Sequence, residues 1–436
     1  MSWYVIASIV LLILLLCIGV PVPYVFFGTT LFLMVTGGYD YSFLFPYSYS
    51  KIASMSCLTL PLFILAGGVI ERGGIGEKLI DFINLFLGRL KGGLGVVMVM
   101  ACAVFGAISG SSLATETVMG SILCPRMKVA GYKEEDSAAL LASCSLLGTF
   151  IPPSGLLILF AWTANVSVLA CFLSTVLPGI ILILMFSFWF IIRYRKATNI
   201  VIPPKLSAKE KMKDVGYTTW VSIPALLFPV IILGGIYGGV MTPTEAAAVS
   251  VLYAIPVACF IYRKLKFKSL GAVFRDSLTS AGVVMLILFT VTMISRIYVV
   301  EDLPNMVLGL ISKVSSKPLV VMMLINVFLV FLGLIMDDGS AMLLSTPILL
   351  PVAVAVGVDP VHYACIMATN LGLGCISPPC APNLFLASRV AGVPLSKMLR
   401  PTFSFILFVW LPIIIVVTLF PDLALFLPRL ILNYGA

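Results

Sequence analysis

Long apolar runs separated by short polar segments dominate the chain. Many runs approach 20 residues, the length of α-helix that crosses the hydrocarbon of a bilayer. The pattern therefore predicts an all-α polytopic membrane protein. The candidate spans are Trp3–Val20, Tyr24–Thr36, Ser54–Ile70, Val168–Ile192, Tyr217–Tyr237, Thr244–Tyr262, Ser280–Val300 and Phe403–Phe420.

Two further apolar regions, Gly93–Asn165 and Leu319–Val390, are interrupted by Gly, Pro, Ser and Asp. The first contains GAISGSSLATE at 106–116 and GTFIPPS at 148–154. The second contains GLIMDDGSAML at 333–343 and the matching GCISPPC at 374–380. The order and the spacing agree, because Pro152 lies 46 residues after Gly106 and Pro378 lies 45 residues after Gly333. The chain is therefore predicted to contain an internal repeat.

Each repeat is predicted to hold a re-entrant helical hairpin followed by a broken helix. Non-helical backbone at membrane depth survives where it is buried in protein or lines a wet cavity. The first repeat covers 1–192, with its hairpin at 93–123 and its broken helix at 138–165. A cytoplasmic linker at 193–216 leads to the second repeat at 217–436, with its hairpin at 319–350 and its broken helix at 360–390.

The basic residues indicate how the repeats are oriented. With the linker in the cytoplasm, 22 of the 27 Lys and Arg residues fall on that side, as the positive-inside rule requires. Lys51, Arg296, Lys313, Lys317 and Arg429 fall outside. The two halves then run in opposite directions and both termini face the periplasm of a bacterial inner membrane. Inverted repeats with broken helices are typical of secondary transporters.

Composition excludes other classes of protein. Only 10% of the residues are charged and 61% are hydrophobic, whereas soluble domains carry roughly 25% charged residues. The basic residues behind the net charge of +9 lie in short loops between the spans. Membrane lipid is therefore an expected partner, and nucleic acid is not. The N-terminus lacks the positive region of a signal peptide and is expected to be a retained span. Two amphipathic segments, Glu77–Leu90 and Leu303–Lys317, are expected to lie along opposite membrane faces.

The two hairpin tips carry the polar chemistry. Ser109-Gly110-Ser111-Ser112 offers hydroxyls and freed carbonyls, the oxygen ligands that a hard cation such as sodium prefers. Close packing of small residues is the alternative. Asp337-Asp338-Gly339-Ser340 places two carboxylates at membrane depth, where they need a cation, a partner or water. Contact with interfacial water is the alternative there.

Both Pro-Pro breaks leave helix carbonyls without N–H partners. The carboxyl end of a half-helix attracts cations and the opposing amino end attracts anions. Sodium site 1 is therefore predicted from Ser109, Gly110, Ser111, Gly148, Thr149 and Pro152. Sodium site 2 is predicted from Asp337, Gly339, Thr369, Asn370, Gly374 and Ser377. Substrate contacts are predicted for Ser112, Ser154, Asp338 and Asn383.

Several other polar residues receive structural interpretations. Glu245 follows Thr242-Pro243-Thr244 and is expected to cap a span. His362 is expected to lie in a polar loop. Glu116 either pairs with a basic residue or is hydrated. The ten cysteines are expected to be reduced packing residues, since they form no CxxC pair.

The segments GGVMTPTEAAAVS at 238–250, GAISGSSLATE, GTFIPPS and GCISPPCAPN at 374–383 together resemble the large membrane subunit of tripartite ATP-independent periplasmic (TRAP) transporters. The resemblance covers nearly the whole chain. It implies an elevator-type fold of the ion-transporter superfamily, a small four-helix membrane subunit and a periplasmic binding protein that delivers a carboxylate. It also implies sodium as the coupling ion, with no other cofactor. The small subunit is expected on a separate chain.

Alternatives remain at this point. A stand-alone sodium–dicarboxylate symporter of related fold would not need a binding protein. A membrane enzyme would need nucleophile–base pairs or an HExxH motif, and the sequence contains none, so no enzymatic activity is expected. A fixed channel suits two broken hairpins less well than alternating access does. C4-dicarboxylates and sialic acid are both candidate substrates.

Overall fold

The computed structural model of the chain describes residues 3–88, 91–197, 200, 208–314, 317–378 and 381–435. Within these ranges the regular secondary structure is entirely helical. In these ranges, seven helices are long and apolar enough to cross a membrane, or up to nine if each of two bent helix pairs counts as one span. The described part of the chain is therefore that of an all-α, multi-pass membrane protein.

The first half contains eleven helices. They are α1 (Trp3–Cys17), α2 (Val22–Gly37), α3 (Tyr41–Ile52), α4 (Met55–Arg72), α5 (Ile75–Leu87), α6 (Gly93–Ser109), α7 (Ser112–Val129), α8 (Glu134–Ser145), α9 (Leu147–Phe150), α10 (Gly155–Ala164) and α11 (Val168–Tyr194).

The second half also contains eleven α-helices. They are α12 (Ala208–Tyr237), α13 (Pro243–Pro256), α14 (Phe267–Val300), α15 (Leu303–Val314), α16 (Pro318–Ile335), α17 (Asp338–Ala355), α18 (Pro360–Ile376), α19 (Pro382–Ala391), α20 (Leu395–Phe405), α21 (Leu411–Leu419) and α22 (Pro421–Leu432). Short π-helical turns extend α13 and join α20 to α21.

The helices form two groups, which we call the scaffold and the hairpin body. In the scaffold, α4 packs against α13 and α14, and α14 also packs against α2 and α3. In the hairpin body, α6–α11 pack with α16–α22, for example α16 against α18 and α11 against α22. The amphipathic helix α5 contacts both α6 and α12, and α15 contacts both α17 and α14. Each amphipathic helix therefore connects the two groups, which is the position expected of a link between a fixed and a moving unit.

The two predicted hairpins are the pairs α6–α7 and α16–α17. The predicted broken helices are α8–α9–α10 and α18–α19. The first of these bends by 45° between Phe150 and Gly155. Pro379, the second proline of the other break, lies outside the described residues, as do Arg89 and residues 201–207 of the linker. Domain boundaries at 192 and 217 stay predictions, although α12 already begins at Ala208.

Several basic residues form ion pairs between helices. Arg72 pairs with Asp276, Lys264 with Glu77, Arg126 with Asp81 and Arg193 with Asp136. Every basic member of these pairs was assigned to the cytoplasmic side. Arg429, which was assigned to the opposite side, pairs with Asp422. The orientation of the chain in the membrane stays a prediction.

Some expectations were wrong. Two helices, α3 and α22, lie outside the predicted spans. His362 is not in a loop: it lies in the first turn of α18, is 2% exposed, and its Nε2 is 2.8 Å from the carbonyl oxygen of Val417. The expected cap at Glu245 is confirmed, because Thr242 and Glu245 form a reciprocal capping box at the start of α13.

Candidate ion and substrate site

The first hairpin meets the broken helix through two glycines. A Cβ atom added to Gly106 would overlap the Cα atom of Gly148. A Cβ atom added to Gly148 would lie 2.9 Å from the carbonyl oxygen of Ser111 and 2.7 Å from Oγ1 of Thr115. Only hydrogen fits at either position, so the sequence places the hairpin tip directly on α9. The predicted residues Ser111 and Gly148 of site 1 are therefore neighbours.

Hydroxyl groups cluster at this tip. Ser111 caps α7, since its side chain accepts a hydrogen bond from the Ala114 N–H. The Thr115 hydroxyl donates to the Ser111 carbonyl at 2.7 Å. The Ser109 Oγ lies 3.2 Å from Oγ1 of Thr115. Thr115 thus belongs to the cluster although the sequence did not single it out, and its i+4 spacing from Ser111 was the signal.

The break after α9 exposes carbonyl groups. Pro152 and Pro153 cannot donate hydrogen bonds to the carbonyls of Gly148 and Thr149 four residues earlier. The Ser154 hydroxyl instead donates to the Thr149 carbonyl. The Gly148 carbonyl receives no helical N–H and lies in the segment that touches the tip.

The second hairpin repeats the glycine contact. A Cβ atom added to Gly333 would lie 2.7 Å from the carbonyl oxygen of Leu371 and 3.0 Å from Cα of Gly374. Gly106 and Gly333 occupy equivalent repeat positions, as do Gly148 and Gly374, each four residues before its Pro-Pro pair. The same close approach therefore seats both hairpins on their broken helices.

Two adjacent carboxylates form the second tip. Asp337 caps α17 and accepts the Ser340 N–H at 3.0 Å. Asp337 is thus the counterpart of Ser111 in the first hairpin. Asp338 Oδ1 accepts the Gly339 N–H at 2.9 Å, while its buried Oδ2 has no hydrogen-bond partner among the described residues. Cys375, near the end of α18, faces both carboxylates.

Of the other residues of predicted site 2, Gly339 lies in the first turn of α17, and the rest lie along α18 or directly after it. Ser377 donates to the Leu373 carbonyl at 2.7 Å and lies beside the break. Thr369 donates to carbonyls of its own helix. The Asn370 side chain donates to Asn326 of α16 at 3.1 Å. Asn370 Oδ1 is buried without a partner within the described part of the chain. Ser377 therefore lies at the break, whereas Asn370 contacts the hairpin through α16.

Three of the four predicted substrate residues are buried, and Asp338 is partly exposed. Ser112, Ser154 and Asn383 are 3%, 0% and 2% exposed. Ser154 also caps α10, and Asn383 Nδ2 lies 3.4 Å from Oγ of Ser145. In this conformation these groups serve the protein's own structure, and substrate contact stays a prediction for them and for Asp338.

Each broken helix crosses to the opposite hairpin. The second part of the first broken helix, α10, packs against α17 of the second hairpin. In the same way α19 packs against α7 of the first hairpin. The two tips and both breaks thus belong to one central structure, in which each hairpin contacts the broken helix of the other repeat.

A basic cavity that the sequence did not predict lies between the scaffold and the hairpin body. It encloses about 270 Å³ and is lined by Lys51, Arg296 and Ser295 from the scaffold and by Trp162 and Thr346 from the hairpin body. The guanidinium of Arg296 lies over the rings of Phe43 and Tyr47 at 5.5 and 5.1 Å. An arginine within the apolar run Ser280–Val300 was the available signal.

Comparisons with known proteins identify the family of the chain. The family described as "Tripartite ATP-independent periplasmic transporter, DctM component" matches residues 9–423. The chain belongs to the DctM family. Its relatives include the C4-dicarboxylate TRAP transporter large permease protein DctM of Pseudomonas aeruginosa, 34% identical over 374 residues, with 85% of this chain and 86% of that protein covered.

Another DctM-family relative is the sialic acid TRAP transporter large permease protein SiaM of Vibrio cholerae. It is 33% identical over 424 residues, with 97% of each chain covered. Among solved structures, the YdaH transporter of Alcanivorax borkumensis has a similar fold, with a TM-score of 0.59 and 13% identity. That alignment covers 94% of this chain and 98% of YdaH. The relatives are permeases and not enzymes.

Proposed function

We propose that this DctM-family permease imports an organic acid across the bacterial inner membrane, driven by a sodium gradient. The observation that carries the proposal is the repeated seating of a polar hairpin tip on a broken helix, by Gly106 on Gly148 and by Gly333 on Gly374. The first seat combines the Gly148 carbonyl, which receives no helical N–H, with the cap residue Ser111. The second seat places the carboxylate cap Asp337 where the hairpin meets the end of α18. Oxygen ligands of this kind suit sodium.

The first sodium ion would bind among Ser109, Ser111, Gly148 and Thr149. Their oxygens are neutral, which suits a monovalent cation bound at membrane depth. The second would bind near Asp337, Gly374 and Ser377. A sodium ion there would also offset the charge of the adjacent Asp338, whose Oδ2 lacks a partner. Two carboxylates side by side in an apolar environment favour a bound cation.

The organic acid would enter from the cavity at Arg296 and Lys51. These are two of only five basic residues assigned to the periplasmic side, and both line the same 270 Å³ space. A guanidinium binds a carboxylate through two parallel hydrogen bonds. The cavity lies where the hairpin body meets the scaffold, so movement of the hairpin body would carry the acid across the membrane. This is the elevator motion that we propose.

Two partners complete the proposed transporter: a small four-helix membrane subunit and a periplasmic protein that delivers the acid. The support is the family description, which names a tripartite periplasmic transporter and this component of it. The proposed substrate class is a C4-dicarboxylate, sialic acid or a related organic anion, because relatives carry those substrates in their names. Both termini would face the periplasm.

Uptake into proteoliposomes tests the proposal. The permease, a small subunit and a periplasmic binding protein would be reconstituted with a radiolabelled acid that the binding protein retains. We expect uptake with an inward sodium gradient, and none when potassium replaces sodium. ATP inside or outside should change nothing. Uptake without sodium would contradict the coupling, and equal uptake without the binding protein would favour a stand-alone symporter.

A further inference from the structure

A buried carboxylate, Glu116, lies outside the two predicted sodium sites. Glu116 projects from α7, one turn after the hairpin tip, and is 0% exposed. The Ser145 hydroxyl of α8 donates to its Oε2 at 3.3 Å, and Asn383 of α19 donates to Oγ of Ser145 at 3.4 Å. The Asn383 amide and the Ala387 backbone also face the carboxylate. Glu116 thus lies at the interface between the first hairpin and the broken helix of the second repeat.

The other oxygen of Glu116 is unsatisfied. Oε1 is buried and has no hydrogen-bond partner among the described residues. No described basic side chain comes within ion-pair distance of the carboxylate either. The basic partner that the sequence offered as one alternative is therefore absent among the described residues, and hydration of Glu116 stays a prediction.

The helices packed around Glu116 offer thiols but no compensating cation. The nearby titratable groups are Cys102 of α6, Cys124 of α7, Cys144 of α8 and Cys375 of α18. Most charged groups on these helices and on α4 and α5 are engaged elsewhere: Arg126 with Asp81, Lys128 with Glu134, Asp136 with Arg193, Arg72 with Asp276, and Glu77 with Lys264. The remainder, Glu71, Lys78, Glu135 and Arg389, are at least partly exposed.

An ionised carboxylate in such a place must be neutralised by a bound cation. A sodium ion needs several oxygen ligands. The described groups around Glu116 supply only a serine hydroxyl and an amide as oxygen-bearing ligands, together with sulfur atoms. A proton on the carboxylate removes the buried charge and needs no such set of ligands.

We propose that Glu116 is a proton-binding site, separate from the two sodium sites, and that its carboxyl is protonated when α7 lies against α19. Arg126 and Arg389, which lie on the two helices of this interface, α7 and α19, were assigned to the cytoplasmic side. Separation of the hairpin from α19 would admit water, and Glu116 would release its proton to the cytoplasm. This effect on transport rests on the proposed function, whereas the bound proton itself does not.

Infrared difference spectroscopy of the purified permease in lipid nanodiscs tests for the proton directly. We expect the carbonyl band of a protonated carboxylic acid at neutral pH, shifted by deuterium exchange. Glu116→Gln should lose this band. Glu245→Gln should keep it, because that carboxylate caps an exposed helix start. Among the described residues, Asp338 is the second carboxylate with a buried oxygen that lacks a hydrogen-bond partner. Asp338→Asn removes this carboxylate and should also leave the band in place.

Absence of the band from the wild-type protein would overturn the proposal, and so would its survival in Glu116→Gln or its loss in Asp338→Asn. The wild-type measurement requires no variant to fold. In proteoliposomes, alkaline internal pH should alter wild-type uptake and leave Glu116→Gln unaffected. The same pH profile in both proteins would refute the transport role. Loss of sodium-driven uptake at every pH in the wild type would contradict the proposed function, while the infrared result would still stand.

Discussion

Gly374 packs backbone to backbone against Gly333: a Cβ atom added to Gly374 would lie 2.6 Å from the Cα atom of Gly333 and 2.6 Å from the carbonyl oxygen of Val330. Real Cβ atoms do not approach backbone this closely. Because the contact recurs at Gly106 and Gly148, the separation between hairpin and broken helix is fixed by glycine in both repeats.

Gly374→Ala should therefore separate the second hairpin from α18 and strongly reduce uptake. Overpacking of this kind costs about 1–3 kcal/mol, and the cost falls on the proposed sodium site. Uptake in proteoliposomes, with the amount of folded protein measured by size-exclusion chromatography, checks the prediction.

Gly282→Ala is the matched control. Gly282 is also inside a helix, but a Cβ atom there meets nothing within 4 Å. Alanine favours a helix interior over glycine by about 1 kcal/mol, so this variant should transport at least as well as wild type. Wild-type uptake by Gly374→Ala would show that the close contact is dispensable.

Ser111→Ala should raise the sodium concentration that gives half-maximal uptake. The change removes a hydroxyl from the cluster with Ser109 and Thr115, and it also removes the cap of α7, which costs about 0.5–2 kcal/mol. Ser167→Ala separates the two effects, because Ser167 caps α11 in the same way but lies in neither hairpin. Its sodium dependence should match wild type, and equal shifts in both variants would assign the effect to capping.

Asp337→Asn tests the second tip in a different way. Asparagine retains the ability to cap a helix but removes the negative charge. We expect a normal melting temperature together with a higher sodium requirement. An unchanged sodium requirement would exclude the Asp337 charge from cation binding.

The repeat and its broken helices could be predicted because the signals are local: paired prolines, a tip of small or acidic residues, and matched spacing. Helix α3 was not predicted, because Tyr41–Ile52 is rich in aromatic and polar residues and contains Pro46. The segment therefore does not form an apolar run. Asp40, which caps it, was the usable signal. The environment of Glu116 could not be predicted, because Ser145 and Asn383 reach it from helices far apart in sequence.

Because Arg296 lines the cavity proposed to bind the organic acid, we expect Arg296→Gln to weaken that binding. A hydrogen bond to a charged group contributes about 1.5–3 kcal/mol, so the KM for the acid should rise about tenfold or more. Arg429→Gln is the control, since Arg429 was assigned to the same side of the membrane but pairs with Asp422 at the surface. An unchanged KM in Arg296→Gln would move the anion site elsewhere.

The last prediction concerns the ion pair that joins α11 to α8. Arg193 donates to both carboxylate oxygens of Asp136, at 3.0 and 2.6 Å, and the Tyr194 hydroxyl donates to the same carboxylate at 2.7 Å. The Asp136 side chain is only 4% exposed. Arg193→Ala leaves this carboxylate buried without its cation, which should destabilise the protein by on the order of 3 kcal/mol.

Arg72→Ala provides the comparison, because the side chains of Arg72 and its partner Asp276 are 47% and 51% exposed. Exposed pairs contribute about 0–1 kcal/mol. The melting temperature in detergent should fall clearly for Arg193→Ala and hardly at all for Arg72→Ala. Adding Asp136→Asn to Arg193→Ala should recover part of the loss, since the amide no longer carries an unpaired charge. If both arginine variants melted at the same temperature, burial of Asp136 would not be what makes this pair important.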